Sequence, residues 1–306
     1  MTVPVLALRA LGLGDALTGV PALRGLRRLW PDQPLLLATS GPLGRWLSGL
    51  GVVDDVVPAG GLEALPRIGR HVAVNLHGRG PQSHRLLLDG RPDELIAFDC
   101  VEAGYRSKSY WQTYEHEVDR WCRLVCDIGG NCTADDLRLT SGAPHRSGVV
   151  LHPSAASEAR RWPPERWTAV ARALLADGED VLLTGSEREL CAQIARASGA
   201  RDSSGGLPLD VLAELVGSAR LVLSGDTGVA HLATATRTPS VTLFGPVPPE
   251  LWGPAIDHHL HAVLYHRGPL GDPHGSEPDP SLLGISVREV LQTAWAQLSG
   301  TSQRSA

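Results

Sequence analysis

The chain has 306 residues, enough for two domains that each bury a core of their own. Its 42% hydrophobic and 20% charged residues are those of a globular protein, and a net charge of −5 leaves no electrostatic footprint for nucleic acid. No apolar run approaches the roughly 20 residues that span a bilayer, so a cytoplasmic protein is expected, with peripheral membrane contact left open.

In chain order, residues 3–8 predict a strand and Gly12-Leu-Gly14 a turn. Residues 15–30 predict a helix, because Leu17, Val20, Leu23, Leu26 and Leu29 recur at near-helical spacing until Pro31-Asp32 stops them. Strands follow at 35–37, 55–57, 71–76 and 94–98, with short helices at 43–48 and 83–88, an alternation that implies a mostly parallel sheet covered by helices. A helix at 115–125 completes a first domain over residues 1–143, and the run from Thr140 to Gly148 has linker composition.

The pattern restarts in a second domain over 148–306. It places strands at 149–151, 181–183, 221–223 and 241–244 and helices at 164–176, 187–198 and 207–218. An irregular stretch rich in Pro and Gly fills 265–284, and a last helix at 287–298 could return to the first domain.

The five cysteines form an odd set without a CxxC pair and read as reduced thiols. Cys122, Cys126 and Cys132 are close enough in sequence for a metal, but buried packing is the preferred reading and no metal site is assigned.

Four turns follow predicted strands and carry chemistry. The first, Gly12-Leu-Gly14-Asp15, breaks the dinucleotide fingerprint because Leu17 stands where GxGxxG needs glycine. Asp15 is then either a helix cap or a carboxylate at the carboxyl end of the first strand, where open α/β sheets bind ligands. The second, His152-Pro-Ser154-Ala-Ala-Ser157, runs into Arg160-Arg161, and guanidinium beside a small-residue loop suits phosphate. The third, Thr184-Gly-Ser-Glu-Arg-Glu189, offers a carboxylate for ribose or an ordinary acidic first turn. The fourth, Asp226-Thr227-Gly228-Val-Ala-His231, sets an acid, a hydroxyl and an imidazole at a helix start, with Phe244-Gly-Pro246 downstream.

Three blocks, Leu8 to Pro31, His152 to Trp167 and Asp226 to Pro254, resemble glycosyltransferase family 9, the ADP-heptose:lipopolysaccharide heptosyltransferase family. The resemblance implies an α/β GT-B fold of two Rossmann-like domains facing a central cleft, the first binding the acceptor and the second the nucleotide-sugar donor. By position it implies Asp15 as the general base. It implies Ser154, Arg160, Glu189, Asp226, Thr227, Gly228 and His231 on the donor, with Arg160 standing where the family usually has lysine. Gly14, His77, Arg79 and Gln82 are assigned to the acceptor, and Asn75 stands where an aspartate is common.

The expected activity is inverting transfer of a sugar, a heptose from ADP, to a hydroxyl of a glycan or natural product, with no cofactor and no metal required. The rivals are a nucleotide-sugar epimerase of the same architecture and a non-catalytic sugar-nucleotide binding protein.

Overall fold

The structure, a computed structural model, describes residues 2–139 and 147–304. The chain divides into two compact units, one ending at Leu137 and the other beginning at Arg138. The predicted linker lies mostly at 140–146, outside the described residues.

The first unit holds β1 (Val5–Leu8), β2 (Leu35–Thr39), β3 (Asp55–Pro58), β4 (Val72–Asn75) and β5 (Glu94–Ile96) in the order β3-β2-β1-β4-β5. Every pairing is parallel, and Leu8 at the end of β1 sits between Ala38 and Asn75. All four residues of β1 are buried, as a central strand covered on both faces requires. The helix expected over 15–30 is two helices, Leu13–Thr18 and Val20–Leu29. Pro21 has no N–H to give the carbonyl of Leu17, so the ladder breaks at Gly19. The helix Glu117–Cys126 buries Val118, Trp121, Leu124 and Val125.

The second unit holds β6 (Val149–His152), β7 (Val181–Leu183), β8 (Arg201–Asp202), β9 (Leu221–Gly225), β10 (Ser240–Leu243) and β11 (His261–Leu264). Their order is β11-β10-β9-β6-β7-β8, again all parallel. Trp162 and Trp167, the second on the helix Pro164–Ala176, meet edge to face at 5.1 Å in the core. Part of the stretch expected to be irregular is the short helix Pro280–Gly284, started by the Asp279 carboxylate, which accepts the N–H of Ser281 at 2.9 Å. The last helix, Val287–Arg304, was expected to be able to return to the first domain. Its Val290, Ala294 and Leu298 lie in the core of the second unit. Among the described residues no helix is long and apolar enough to cross a membrane.

Strand order is what makes sites of these sheets. In the first unit successive strands run one way from β1 to β3 and then the other way from β4, so β1 and β4 flank a switch point. In the second unit β6 and β9 do the same. The crevice outside the carboxyl ends of such a strand pair is where open α/β sheets take ligands, since the flanking crossovers leave it uncovered.

Candidate active site

At the first switch point β1 delivers Arg9 and Asp15, and β4 delivers Asn75 and His77. Asp15 is not the helix cap: that position is Gly12, with no side-chain cap bond, and Asp15 lies three residues further on, in the first turn. Its carboxylate remains partly open while Arg9 is 1% exposed. Arg9 Nε donates to the carbonyl of Asp15 and Nη1 to that of Leu76, while Nη2 reaches Thr18 Oγ1 at 2.8 Å and Glu117 Oε1 at 3.0 Å. Only a 3.9 Å approach from Nη2 is left for Asp15 Oδ1. Burial pushes the Asp15 carboxyl above the ordinary aspartate value, Arg9 opposes this, and the Glu117 charge reinforces it.

The polar loop after β4 is less open than its composition suggests. Asn75 is fully buried and its amide nitrogen lies 3.0 Å from Ser83 Oγ and 3.0 Å from His84 Nδ1. His84 Nε2 meets the carbonyl of Phe98 at 2.9 Å, which assigns the proton to Nε2 and lets Nδ1 accept from Asn75. Asn75 therefore fixes the loop from inside. His77 Nδ1 accepts the N–H of Ala10 at 3.2 Å, tying the loop to the end of β1. Burial first and Arg9 second push the His77 imidazole down to about 4, so it is neutral at pH 7. Of the remaining acceptor candidates, Gly14 is half-buried beside Asp15, and Arg79 and Gln82 are exposed.

At the second switch point β6 leads into the loop 153–161 and β9 into Asp226. Arg160 Nη1 donates to the carbonyl of Asp226 at 3.3 Å, so the two segments meet. Arg160 Nε, Thr227 Oγ1 and Ser224 Oγ are buried without a hydrogen-bond partner. Thr227 takes the cap position of the helix Gly228–Ala235 by its backbone, yet its hydroxyl makes no cap bond. A buried donor or acceptor left unmade costs about 1–3 kcal/mol, so three at one strand pair mark a place built for polar ligand atoms. His231, nearly buried on that helix, meets the Trp252 ring edge-on at 5.9 Å.

Ser154 is buried, and its Oγ takes the N–H of Glu187 at 3.4 Å. Glu187 also pairs with Arg161, which bonds Glu158 as well. Glu189 is not brought to this group. Its side chain is 87% exposed and pairs with Arg196 at 3.1 Å, one helical stretch further out. The turn after β7 thus presents Glu187 inward and Glu189 outward, whereas the sequence reading assigns Glu189 to the donor. Arg9 and Glu117 are site-lining charges that sequence reading did not assign, and Glu187 is one it passed over in favour of Glu189. No group of three or more His, Cys, Asp or Glu among the described residues is placed to hold a metal ion.

Two parallel sheets, each with polar groups gathered at its switch point, define a GT-B protein with a phosphate-suited turn in its second half. The fold is that of E. coli ADP-heptose lps heptosyltransferase II (TM-score 0.77, 19% identity, 98% of this chain and 100% of that one). E. coli heptosyltransferase WaaC, solved with ADP-2-deoxy-2-fluoro heptose, is similar too (TM-score 0.69, 16% identity, 96% and 99% covered). The sequence model of Glycosyltransferase family 9 (heptosyltransferase) matches residues 105–274, and the chain belongs to that family. Lipopolysaccharide heptosyltransferase 2 of Escherichia coli (strain K12) is 28% identical over 208 residues, 57% of this chain; the match spans 59% of that relative's length.

Proposed function

We propose that the chain transfers a heptose, with inversion, from ADP-heptose to a hydroxyl of a lipopolysaccharide-core type glycan, with Asp15 as general base. The observation that carries the donor half is the meeting of Arg160 with Asp226 beside the buried, unpartnered Arg160 Nε and Thr227 Oγ1. A diphosphate supplies the acceptors these donors lack, and the N-terminus of the helix Gly228–Ala235 adds its favourable dipole. The family membership and the WaaC complex with an ADP-heptose analogue favour ADP-heptose over other nucleotide sugars.

In this reaction the acceptor oxygen attacks the anomeric carbon as its proton passes to an Asp15 oxygen. The bond from that carbon to the β-phosphate oxygen breaks, and ADP leaves with the electron pair. Arg160 and the amides at Thr227 and Gly228 meet the charge that grows on the diphosphate, which is where preorganised donors lower a barrier most. A carboxylate that burial makes more basic than usual is suited to receive a proton.

Replacing Asp15 with Asn keeps the shape and removes the base. Transfer from ADP-heptose, followed by ADP release and product mass, is expected to fall by about 10²–10⁴-fold while ADP affinity by calorimetry is unchanged. Near-normal turnover in that variant rules out the base assignment. An epimerase would instead convert the donor sugar with no acceptor present, and a binding protein would hold ADP-heptose without turnover.

A further inference from the structure

Arg9 stands within reach of Asp15 and yet is aimed elsewhere. Its Nε and Nη1 are spent on the carbonyls of Asp15 and Leu76, and its Nη2 on Thr18 and Glu117. Its guanidinium lies 4.9 Å over the Trp121 ring, so it cannot swing toward solvent without losing that face. Glu117 is itself held from behind, taking Trp121 Nε1–H at 2.7 Å on Oε1 and an Arg120 N–H on Oε2. Arg120 is fixed in turn by the carbonyls of Gln112 and Glu115, at 3.1 and 2.8 Å.

We infer that Glu117 is a positioning residue for Asp15: by holding Arg9 Nη2 it keeps the guanidinium from closing on the Asp15 carboxylate, which stays open to receive a proton. This rests on the reading of Asp15 as the base. Glu117 and Arg9 are 108 residues apart, so the arrangement belongs to the fold and not to the motif that carries Asp15.

The charges around Asp15 come from three sides. Arg9 at the end of β1 favours its anion, and Glu117 on the helix Glu117–Cys126 disfavours it. His77, after β4, is pushed down to about 4 and adds no charge at neutral pH. Removing the Glu117 charge leaves Arg9 uncompensated, so the proton affinity of Asp15 must fall.

The test is carbon NMR of protein labelled at the aspartate carboxyl, the Asp15 signal being the one missing from Asp15→Asn. The wild-type midpoint is expected above the ordinary value of about 3.9. Glu117→Gln, which keeps size and one acceptor, is expected to lower it by about one unit, and Glu117→Asp to restore most of the shift. The acid limb of kcat/KM, measured with ADP-heptose and a heptose-free lipopolysaccharide core, moves the same way; a merely structural role would lower the rate at every pH and leave the limb in place. An Asp15 midpoint unmoved in folded Glu117→Gln overturns the inference. If that variant does not fold, a wild-type midpoint at or below the ordinary value overturns it. Retained turnover in Asp15→Asn with the titration as expected sinks the base assignment alone, whereas an inactive Asp15→Asn with an unmoved titration sinks the role of Glu117 alone.

Discussion

Gly185 offers a probe of the donor side that substitutes none of the proposed ligand residues. It follows β7 by two residues, and a Cβ added there would overlap Ser154 Oγ and lie 3.1 Å from Ser154 Cβ and 3.0 Å from Cys191 Sγ. Its φ is ordinary, so Gly185→Ala carries no backbone strain and its cost is steric. Ser154 and Cys191 are both buried and cannot swing into solvent. Overpacking of this kind costs about 1–3 kcal/mol, and at about 2 kcal/mol a unit of this size loses roughly 4–8 °C in Tm. Relief comes at the expense of the Ser154–Glu187 bond, so ADP affinity is expected to drop about 3–10-fold with the displaced turn. Removing the obstacle in Ser154→Gly/Gly185→Ala should recover about 1 kcal/mol relative to the sum of the single variants. Thermal melts with and without ADP, together with calorimetric ADP titrations, read both effects. A Gly185→Ala protein with wild-type Tm, or a double variant whose losses simply add, would refute the packing described here.

Arg160→Met is expected to weaken ADP binding by about 10–100-fold, since charge-assisted bonds to a diphosphate contribute about 1.5–3 kcal/mol. Glu189→Gln should leave it within about twofold, because that side chain is on the surface; equal losses in the two variants would place Glu189 at the ligand after all. The last helix gives a pH-dependent prediction. Glu289 accepts the N–H and hydroxyl of Ser286 at 2.7 and 2.6 Å in a capping box, and these bonds with His266 hold its carboxyl down at about 2. A carboxyl lowered on folding stabilises above its unfolded pKa, and that contribution is lost as pH falls from about 4.3 toward the folded value. Glu289→Gln should therefore lower Tm by about 1–4 °C at pH 7, a gap that closes near pH 2; a gap independent of pH would contradict the capping role.

Much of this was legible in the sequence, because strand and helix periods are local. The helix over 164–176 and the strand over 181–183 were predicted at their observed limits, whereas the edge strands β8, two exposed residues long, and β11 were not predicted. Asp15, Ser154, Arg160 and Asp226 were nominated because each follows a predicted strand at a small-residue turn. What the turns could not reveal was direction. Glu187 and Glu189 are two residues apart on one helix start, and which of them faces Ser154 depends on where that helix packs. Asn75 looked like a member of an open polar loop, but Ser83 and the ring of His84, itself held by the carbonyl of Phe98, draw it inward. Glu117 gave no sign at all, since nothing local links it to a strand end more than a hundred residues earlier.

The contact between Arg160 and β9 has an evolutionary consequence. The Arg160 carbonyl lies 3.2 Å from where a Cβ on Gly225 would stand, while the same residue's guanidinium bonds the carbonyl of Asp226. Main chain and side chain of one residue thus rest on consecutive positions, the last of β9 and the one after it. A side chain at 225 would need the Arg160 carbonyl to yield by a few tenths of an ångström, and that shift acts on the residue whose guanidinium anchors Asp226. In descendants of this chain the glycine and the arginine should therefore be inherited or lost together, although Arg160 and Asp226 are 66 positions apart in sequence.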